Sequence, residues 1–164
     1  MGSIDTDPAS CPAANDRVRA RWFWSQSQSG LDIRHRWIGN VFLNSPYNGM
    51  PRHFMRRLFS EIESGSVTQA IALINVNSLS SRWAYEIPQK ANCMVISNGR
   101  LYCEAGTKEQ KKNNPSTGST FFYFGNRVNR FVAEFGCFGN VFFTVDRKGV
   151  LIAENGAADE VQSV

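Results

Sequence analysis

Four consecutive residues, Asn44, Ser45, Pro46 and Tyr47, combine groups that can hold a flat amino-bearing ring such as adenine. The Asn44 side-chain oxygen and the Ser45 backbone carbonyl can accept hydrogen bonds from both N–H groups of an exocyclic amine. Two acceptors about three ångströms from one nitrogen localise its lone pair and make it more nucleophilic. Pro46 restricts Ser45 to an extended conformation, and Tyr47 offers a ring for base stacking. The motif predicts methyl transfer to a nucleobase, with S-adenosylmethionine as the donor and no metal.

The elements around this motif place it at the end of a strand. A short apolar strand is predicted for residues 39–43, and Pro51 fits the first turn of an amphipathic helix over residues 51–64. In open α/β sheets, ligands bind beyond the carboxyl ends of strands. Asp5 and Asp7 follow another predicted strand end, where a carboxylate can accept from ribose hydroxyls or an ammonium group. An acid favoured by a helix N-terminus is the alternative interpretation, and spacing leaves both open.

Apolar runs alternate with helical patterns, which predicts an α/β fold with three layers and a mostly parallel sheet. Some antiparallel pairing is expected near the C-terminal end. We predict further strands at residues 67–76, 93–96, 100–103, 121–124 and 141–145, and further helices at 79–85 and 128–135. One domain is expected over residues 1–150, with a mobile loop at 106–118 and a disordered tail at 151–164.

Positive charge is concentrated around the motif. From Arg17 to Arg57 the chain has eight arginines and both histidines against one acid, Asp32. Arginine suits phosphate because its planar fork donates two hydrogen bonds and stays charged. The candidate nucleic-acid contacts are Arg52, Arg56, Arg57, Lys111 and Lys112. For any single arginine the alternative is a solvated face. His35 and His53 are weaker candidates for general bases, because the amine can lose its proton to solvent.

Several classes of protein are disfavoured by composition. The first fifteen residues are polar and carry Asp5 and Asp7, unlike a signal peptide, and no apolar run approaches membrane-spanning length. The four cysteines form no C-x-x-C pair and lie far from the histidines, so a structural zinc is not expected. A cytoplasmic protein without a membrane partner is the expectation.

An ordered series of segments resembles the phage-type DNA N-6-adenine methyltransferase family. The segments are I-D-T-D-P-A-S-C, W-F-W, W-I-G-N-V-F-L-N-S-P-Y-N, S-N-G-R-L-Y-C and G-S-T-F-F-Y-F-G. The resemblance implies a class I methyltransferase-type sheet, S-adenosylmethionine as cofactor and adenine in DNA as acceptor. It also implies that residues 44–47 form the target-base site and that Asp5 and Asp7 face the cofactor.

The chain departs from the family pattern in two ways. The usual tetrapeptide is N-P-P-Y, and Ser45 replaces the first proline, which should loosen the loop while keeping the backbone carbonyl. Family members also carry a segment ahead of I-D-x-D-P-A-S, so we expect a sheet lacking an inner strand and a cofactor site that a missing segment or a partner chain completes. The alternatives are a catalytically silent remnant with weak non-specific DNA binding, and methylation of a protein glutamine amide instead of adenine.

Overall fold

The structure, a computed structural model, describes residues 1–46, 49–101 and 117–145. Its strands are β1 (Thr6–Asp7), β2 (Trp22–Phe23), β3 (Gly39–Leu43), β4 (Val67–Asn75), β5 (Cys93–Ser97), β6 (Ser119–Phe124) and β7 (Gly139–Phe143). Its α-helices are α1 (Pro12–Val18), α2 (Pro51–Glu63), α3 (Ile87–Lys90) and α4 (Val128–Phe135). The described strands form one mixed sheet in the order β2-β1-β3-β4-β6-β5-β7, so the fold is α/β.

The sheet has a parallel half and an antiparallel half. β2, β1, β3 and β4 pair in parallel, whereas the β4–β6, β6–β5 and β5–β7 pairs are antiparallel. The parallel pairing up to β4 and the antiparallel pairing near the C-terminal end are both as predicted, but the antiparallel half is larger than a mostly parallel sheet implies. β5 and β6 are consecutive among the described strands and pair directly, an arrangement that is typical of antiparallel strands.

The first strand is short but lies inside the sheet. Thr6 pairs with Trp22 of β2 on one side and with Val41 of β3 on the other. The strand thus includes Asp7, whereas the sequence predicted that both Asp5 and Asp7 follow the strand end, and the described sheet is continuous from β2 to β7. Among the described strands there is no gap between β2 and β7, and the expected missing N-terminal segment stays a prediction.

Helices cover both faces of the sheet, which gives the expected three layers. α2 buries Phe54, Met55, Leu58 and Phe59 in a core with Trp37, Val41 and Leu43. On the opposite face, Val128 and Phe131 of α4 pack with Ile71, Val95 and Tyr123. β4 is buried on both faces along most of its length, as its continuous apolar run predicts.

A polar network joins three strands near the amino end of β3. The Tyr123 hydroxyl donates to Gln69 Oε1 over 2.9 Å and accepts from the Arg127 amide over 3.0 Å. Gln69 Nε2 in turn donates to Asn40 Oδ1 over 2.8 Å. Because these buried groups satisfy one another, the network stabilises the alignment of β3, β4 and β6.

The remaining predictions have mixed outcomes. The helices at residues 51–64 and 128–135 are confirmed to within one residue. The helix at 79–85 is wrong: two 3₁₀ segments, Val76–Ser80 and Arg82–Ala84, precede α3, which has Pro88 in its first turn. Arg100 and Leu101 are not in a strand. The rest of that predicted strand, loop residues 106–116 and the tail at 151–164 lie outside the described residues.

No helix in the described residues is long and apolar enough to cross a bilayer.

Candidate functional site

The carboxyl ends of β1 and β3 lie side by side where the strand order reverses. The chain passes from β1 outward to β2, then returns across β1 to form β3 and continues to β4 on the other side. Such a switch point opens a crevice outside the carboxyl ends of the two central strands. The crevice between the ends of β1 and β3 is therefore the place where this fold is expected to bind a ligand.

Asn44 lies at the carboxyl end of β3. Val41 and Leu43 are fully buried beneath α2, which fixes the end of the strand. Ser45 is also buried, and Pro46, which lacks an N–H group, prevents further pairing at its position. The Asn44 side-chain oxygen is buried and has no hydrogen-bond partner in the described part of the chain. Tyr47 lies outside the described residues, and its role as a stacking face for the base stays a prediction.

Asp7 is the last residue of β1, and the β1–β3 register places it level with Phe42, two residues before Asn44. Its side chain is only 3% exposed, and Oδ1 accepts a hydrogen bond of 3.2 Å from the Ala9 amide. Burial raises the pKa of the Asp7 carboxyl to about 6, against a usual value of 3.8, although the Ala9 amide and the Ser10 hydroxyl partly oppose the shift. The carboxylate is thus held in a poorly solvated position where a cationic or hydroxyl-bearing ligand would stabilise its charge.

Ser10 was not predicted as a site residue. Its amide donates to the Trp24 carbonyl over 2.9 Å, which holds Ser10 at the carboxyl edge of β1 and β2. The Ser10 hydroxyl is buried near the Asp7 carboxylate, where it lowers the pKa of Asp7, but it has no hydrogen bond of standard geometry to a described residue. Only the pairing of β1 with β2 brings Ser10 to the edge, and no sequence pattern marks it.

All the unpaired buried side-chain oxygens of the described residues lie at this one edge. They are Ser10 Oγ after β1, Asn44 Oδ1 after β3 and Thr120 Oγ1 near the start of β6. Thr120 pairs with Ile74, and β6 is antiparallel to β4, so the start of β6 lies beside the carboxyl end of β4. Buried polar groups are nearly always hydrogen-bonded in folded proteins. Their accumulation at one edge is therefore consistent with a site that a polar ligand completes.

Asp5 is placed differently from Asp7. Its Oδ2 accepts from the Asn40 amide over 2.8 Å, near the amino end of β3 and away from Asn44. Gly39, at φ +65°, lies against this carboxylate, and a Cβ there would come within 2.3 Å of Asp5 Oδ2. Asp5 thus fixes the start of β3, and the structure does not bring it together with Asp7 and Asn44.

Trp24 directly follows β2 and is held by backbone and ring contacts. Its amide donates to the Asp7 carbonyl over 3.2 Å. Its ring stacks on His35 at a centroid distance of 5.0 Å. Both rings are half-buried, the Trp24 side chain packs against the core that contains Trp37, and the stacking gives His35 a packing role. His53 is exposed on α2 and has no part in this stacking.

The predicted nucleic-acid contacts divide into two groups. Arg52 and Arg56 are exposed on α2, and neither has an ion pair or hydrogen bond to another described residue. Arg57 instead pairs with Glu61 over 2.6 Å and donates to the His35 carbonyl over 3.0 Å. These contacts engage its guanidinium within the protein, and its assignment to nucleic-acid binding stays a prediction. Lys111 and Lys112 lie outside the described residues.

A cavity of about 320 Å³ opens elsewhere, on the face covered by α1 and α4. Its lining includes Met1, Ile4, Val18, Phe42, Ile71 and Phe135. These side chains are apolar, the charged side chains of Arg130 and Glu134 also line the cavity, and neither Asn44 nor Asp7 is among the lining residues. The cavity is therefore distinct from the polar edge where the unpaired oxygens lie.

No protein-family model, no curated protein and no solved structure matches this chain. The class of protein is therefore defined by its architecture: an α/β protein whose described residues form a seven-stranded mixed sheet that reverses its strand order between β1 and β3.

Proposed function

We propose that the chain has a class I methyltransferase-type fold and transfers a methyl group from S-adenosylmethionine to the N6 amino group of adenine in DNA. The observation that carries the proposal is the buried, unpaired side-chain oxygen of Asn44 at the carboxyl end of β3. A buried acceptor without a partner is costly to the folded protein. It is useful when a ligand brings the missing N–H group.

Asn44 and Ser45 would act on the nucleophile. Asn44 Oδ1 accepts from one N–H group of the exocyclic amine, and the Ser45 carbonyl accepts from the other. Together they hold the amine with its lone pair directed away from the ring system, which raises its nucleophilicity. Their share of catalysis is alignment and polarisation, and the proton that the product loses can pass to solvent.

Asp7 and Ser10 are the residues that would hold the methyl donor. When bound, S-adenosylmethionine supplies a methyl group on a positively charged sulfonium. The Asp7 carboxylate can accept from the donor's ammonium or ribose hydroxyl groups, and the unpaired Ser10 oxygen offers a second polar contact. The poorly solvated carboxylate fits a cationic ligand, because an opposite charge restores the stabilisation that burial removes.

Arg52 and Arg56 support DNA as the partner. Both lie near the start of α2, which begins only a few residues after Pro46. Exposed guanidinium groups close to the proposed base site can contact phosphates on either side of a displaced adenine. This binding would weaken steeply with salt because it releases counterions from the DNA.

A catalytically silent protein that retains only DNA binding is the second candidate. One observation favours it. Arg52 and Arg56 are exposed on α2, so they can bind phosphate whether or not a cofactor is bound. The glutamine-methylating alternative uses the same two acceptors and differs in its acceptor substrate. One set of measurements distinguishes both alternatives from adenine methylation.

The test is transfer of labelled methyl groups from S-adenosylmethionine to adenine-containing DNA. Asn44→Ala should abolish transfer and retain cooperative unfolding, whereas Asn129→Ala, at an exposed asparagine on α4, should retain activity. Transfer that survives Asn44→Ala would reject the assigned role. No transfer and no heat of S-adenosylmethionine binding, with salt-sensitive DNA binding intact, would favour the silent protein. Labelled glutamine in a protein substrate with unlabelled DNA would favour the glutamine alternative.

A further inference from the structure

The connection from β2 to β3, residues 24–38, lies against the turn that carries Asp7 and Ser10; we call it the β2–β3 loop. Gly30 marks the closest approach, because a Cβ at this position would come within 1.8 Å of the Pro8 carbonyl oxygen. Only glycine allows two backbones to approach so closely. The loop therefore packs directly on the turn that follows β1.

The first residue of the loop, Trp24, is bonded to both ends of the same turn. Its amide donates to the Asp7 carbonyl over 3.2 Å, and its carbonyl accepts from the Ser10 amide over 2.9 Å. These two bonds set the separation of the Asp7 and Ser10 backbones. A displacement of Trp24 would therefore move the two side chains that are proposed to hold the methyl donor.

Contacts from later in the loop hold Trp24 in place. The His35 ring stacks on the Trp24 ring with centroids 5.0 Å apart and an interplanar angle of 19°. His35 Nδ1 lies 2.9 Å from the Ser29 carbonyl oxygen, as expected when an Nδ1–H group donates. The Trp37 indole N–H donates to the Gly30 carbonyl over 2.9 Å. The loop is thus folded back on itself, with the His35 ring against Trp24.

Arg57 on α2 fastens this loop to the rest of the protein. Its Nη2 donates to the His35 carbonyl over 3.0 Å, while its Nε pairs with Glu61 over 2.6 Å. The guanidinium also lies 5.8 Å from the centroid of the Trp37 ring. The Arg57 side chain is only 18% exposed, and hydrogen bonds from a charged donor are among the stronger ones. Arg57 therefore joins α2 to the loop at two points, His35 and Trp37.

We propose that Arg57 is a positioning residue for the methyl donor. It acts through His35 and Trp24, and so fixes the backbone of the turn at residues 7–10. The inference rests on the proposed function, in which Asp7 and Ser10 hold S-adenosylmethionine. Without Arg57, the His35 carbonyl loses this donor and the His35 ring is freer to leave Trp24. The turn would then sample several conformations, and ordering it on binding would weaken the affinity for the donor.

The experiment is calorimetric titration of the full chain with S-adenosylmethionine in the absence of DNA. Arg57→Ala should raise the dissociation constant at least about fivefold, as expected of a residue that acts on a site through intermediate contacts. Because no DNA is present, a contact between Arg57 and phosphate cannot contribute. Tyr123→Phe is the matched control. It breaks the polar network of the sheet and lowers stability by a similar amount, yet should keep the dissociation constant within about twofold.

Amide hydrogen exchange reports the positioning itself. The amides of Trp24 and Ser10 donate the two bonds that join the loop to the turn, so both should exchange faster in Arg57→Ala than in the original chain. Tyr123→Phe weakens contacts elsewhere in the sheet and should leave the exchange of these two amides unchanged. A residue that only stabilised the whole fold would not produce this difference between the variants.

Equal donor affinity in Arg57→Ala and the original chain would overturn the inference and leave the proposed function standing. So would an equal loss of affinity in Tyr123→Phe, and so would unchanged exchange at Trp24 and Ser10. An original chain that binds no S-adenosylmethionine would overturn the proposed function and, with it, the role of Arg57 toward the donor.

Discussion

Replacing Asp7 by asparagine should make the protein more stable at neutral pH. The Asp7 carboxyl is almost fully buried, and loss of solvation raises its pKa from 3.8 to about 6. The shift of about 2 units is worth about 3 kcal/mol at about 1.4 kcal/mol per unit. Asparagine keeps an oxygen that can accept from the Ala9 amide and carries no charge. We therefore expect Asp7→Asn to gain about 2–3 kcal/mol in free energy of unfolding at pH 7.

The gain should depend on pH in a defined direction. Between pH 3.8 and about 6 the folded protein retains a proton that the unfolded chain releases, so the contribution of Asp7 to stability falls as pH rises through this window. Below the window both states are protonated. The difference between Asp7→Asn and the original chain should thus reach its full size above pH 6 and shrink toward pH 3.8.

Urea unfolding followed by circular dichroism from pH 4 to pH 7.5 measures this difference. A gain of about 2–3 kcal/mol corresponds to a rise in Tm of roughly 5–10 °C for a domain of this size. Asp5→Asn is the matched control, since Asp5 accepts from the Asn40 amide at the start of β3, and no comparable gain is expected. A pH-independent difference, or a loss of stability at pH 7, would refute the reasoning about Asp7.

The same variant separates stability from function. If Asp7 holds the methyl donor, Asp7→Asn should bind S-adenosylmethionine at least about tenfold more weakly by calorimetry while it unfolds at higher urea concentration. A functional residue that is unfavourable for folding commonly shows this combination. Unchanged affinity in the more stable variant would remove Asp7 from the proposed site.

Three further changes test individual contacts by urea unfolding. Asn44→Ala should be neutral or stabilising by up to about 1 kcal/mol because its buried oxygen lacks a partner among the described residues; a loss of 2 kcal/mol or more would argue for a structural role. Tyr123→Phe should lower the free energy of unfolding by about 1–3 kcal/mol because it leaves Gln69 and the Arg127 amide unpaired, and an unchanged urea midpoint would contradict the network. Arg57→Ala should cost about 1–2 kcal/mol, whereas Arg56→Ala, exposed on the same helix, should change stability by less than about 0.5 kcal/mol; equal effects would contradict their different roles.

The local elements of the fold could be predicted because their patterns are complete within short segments. The helix at Pro51–Glu63 has apolar residues at helical spacing, and the strand at Val67–Asn75 is a continuous apolar run. β1 and β2 have only two residues each, too few to show any periodicity. They exist because they pair with each other, and β1 also pairs with β3.

Part of the candidate site could also be predicted. A polar asparagine directly after an apolar strand stands out in the sequence, and so Asn44 was found. The sequence could not show that Asp5 and Asp7 have different positions, because spacing alone places both of them at the end of a strand. The register of β1 against β3 places Asp5 beside Asn40 and Asp7 at the carboxyl edge, and register depends on pairing between distant segments.

By itself, the sequence determined which residues can accept hydrogen bonds, carry positive charge or form a helix, since these properties belong to side chains and near neighbours. Only the tertiary structure decided that the sheet reverses its strand order between β1 and β3, that Arg57 is occupied by Glu61, and that Ser10 joins Asn44 at one edge. Those outcomes depend on contacts between residues far apart in the chain, and local propensity does not encode which distant partners meet.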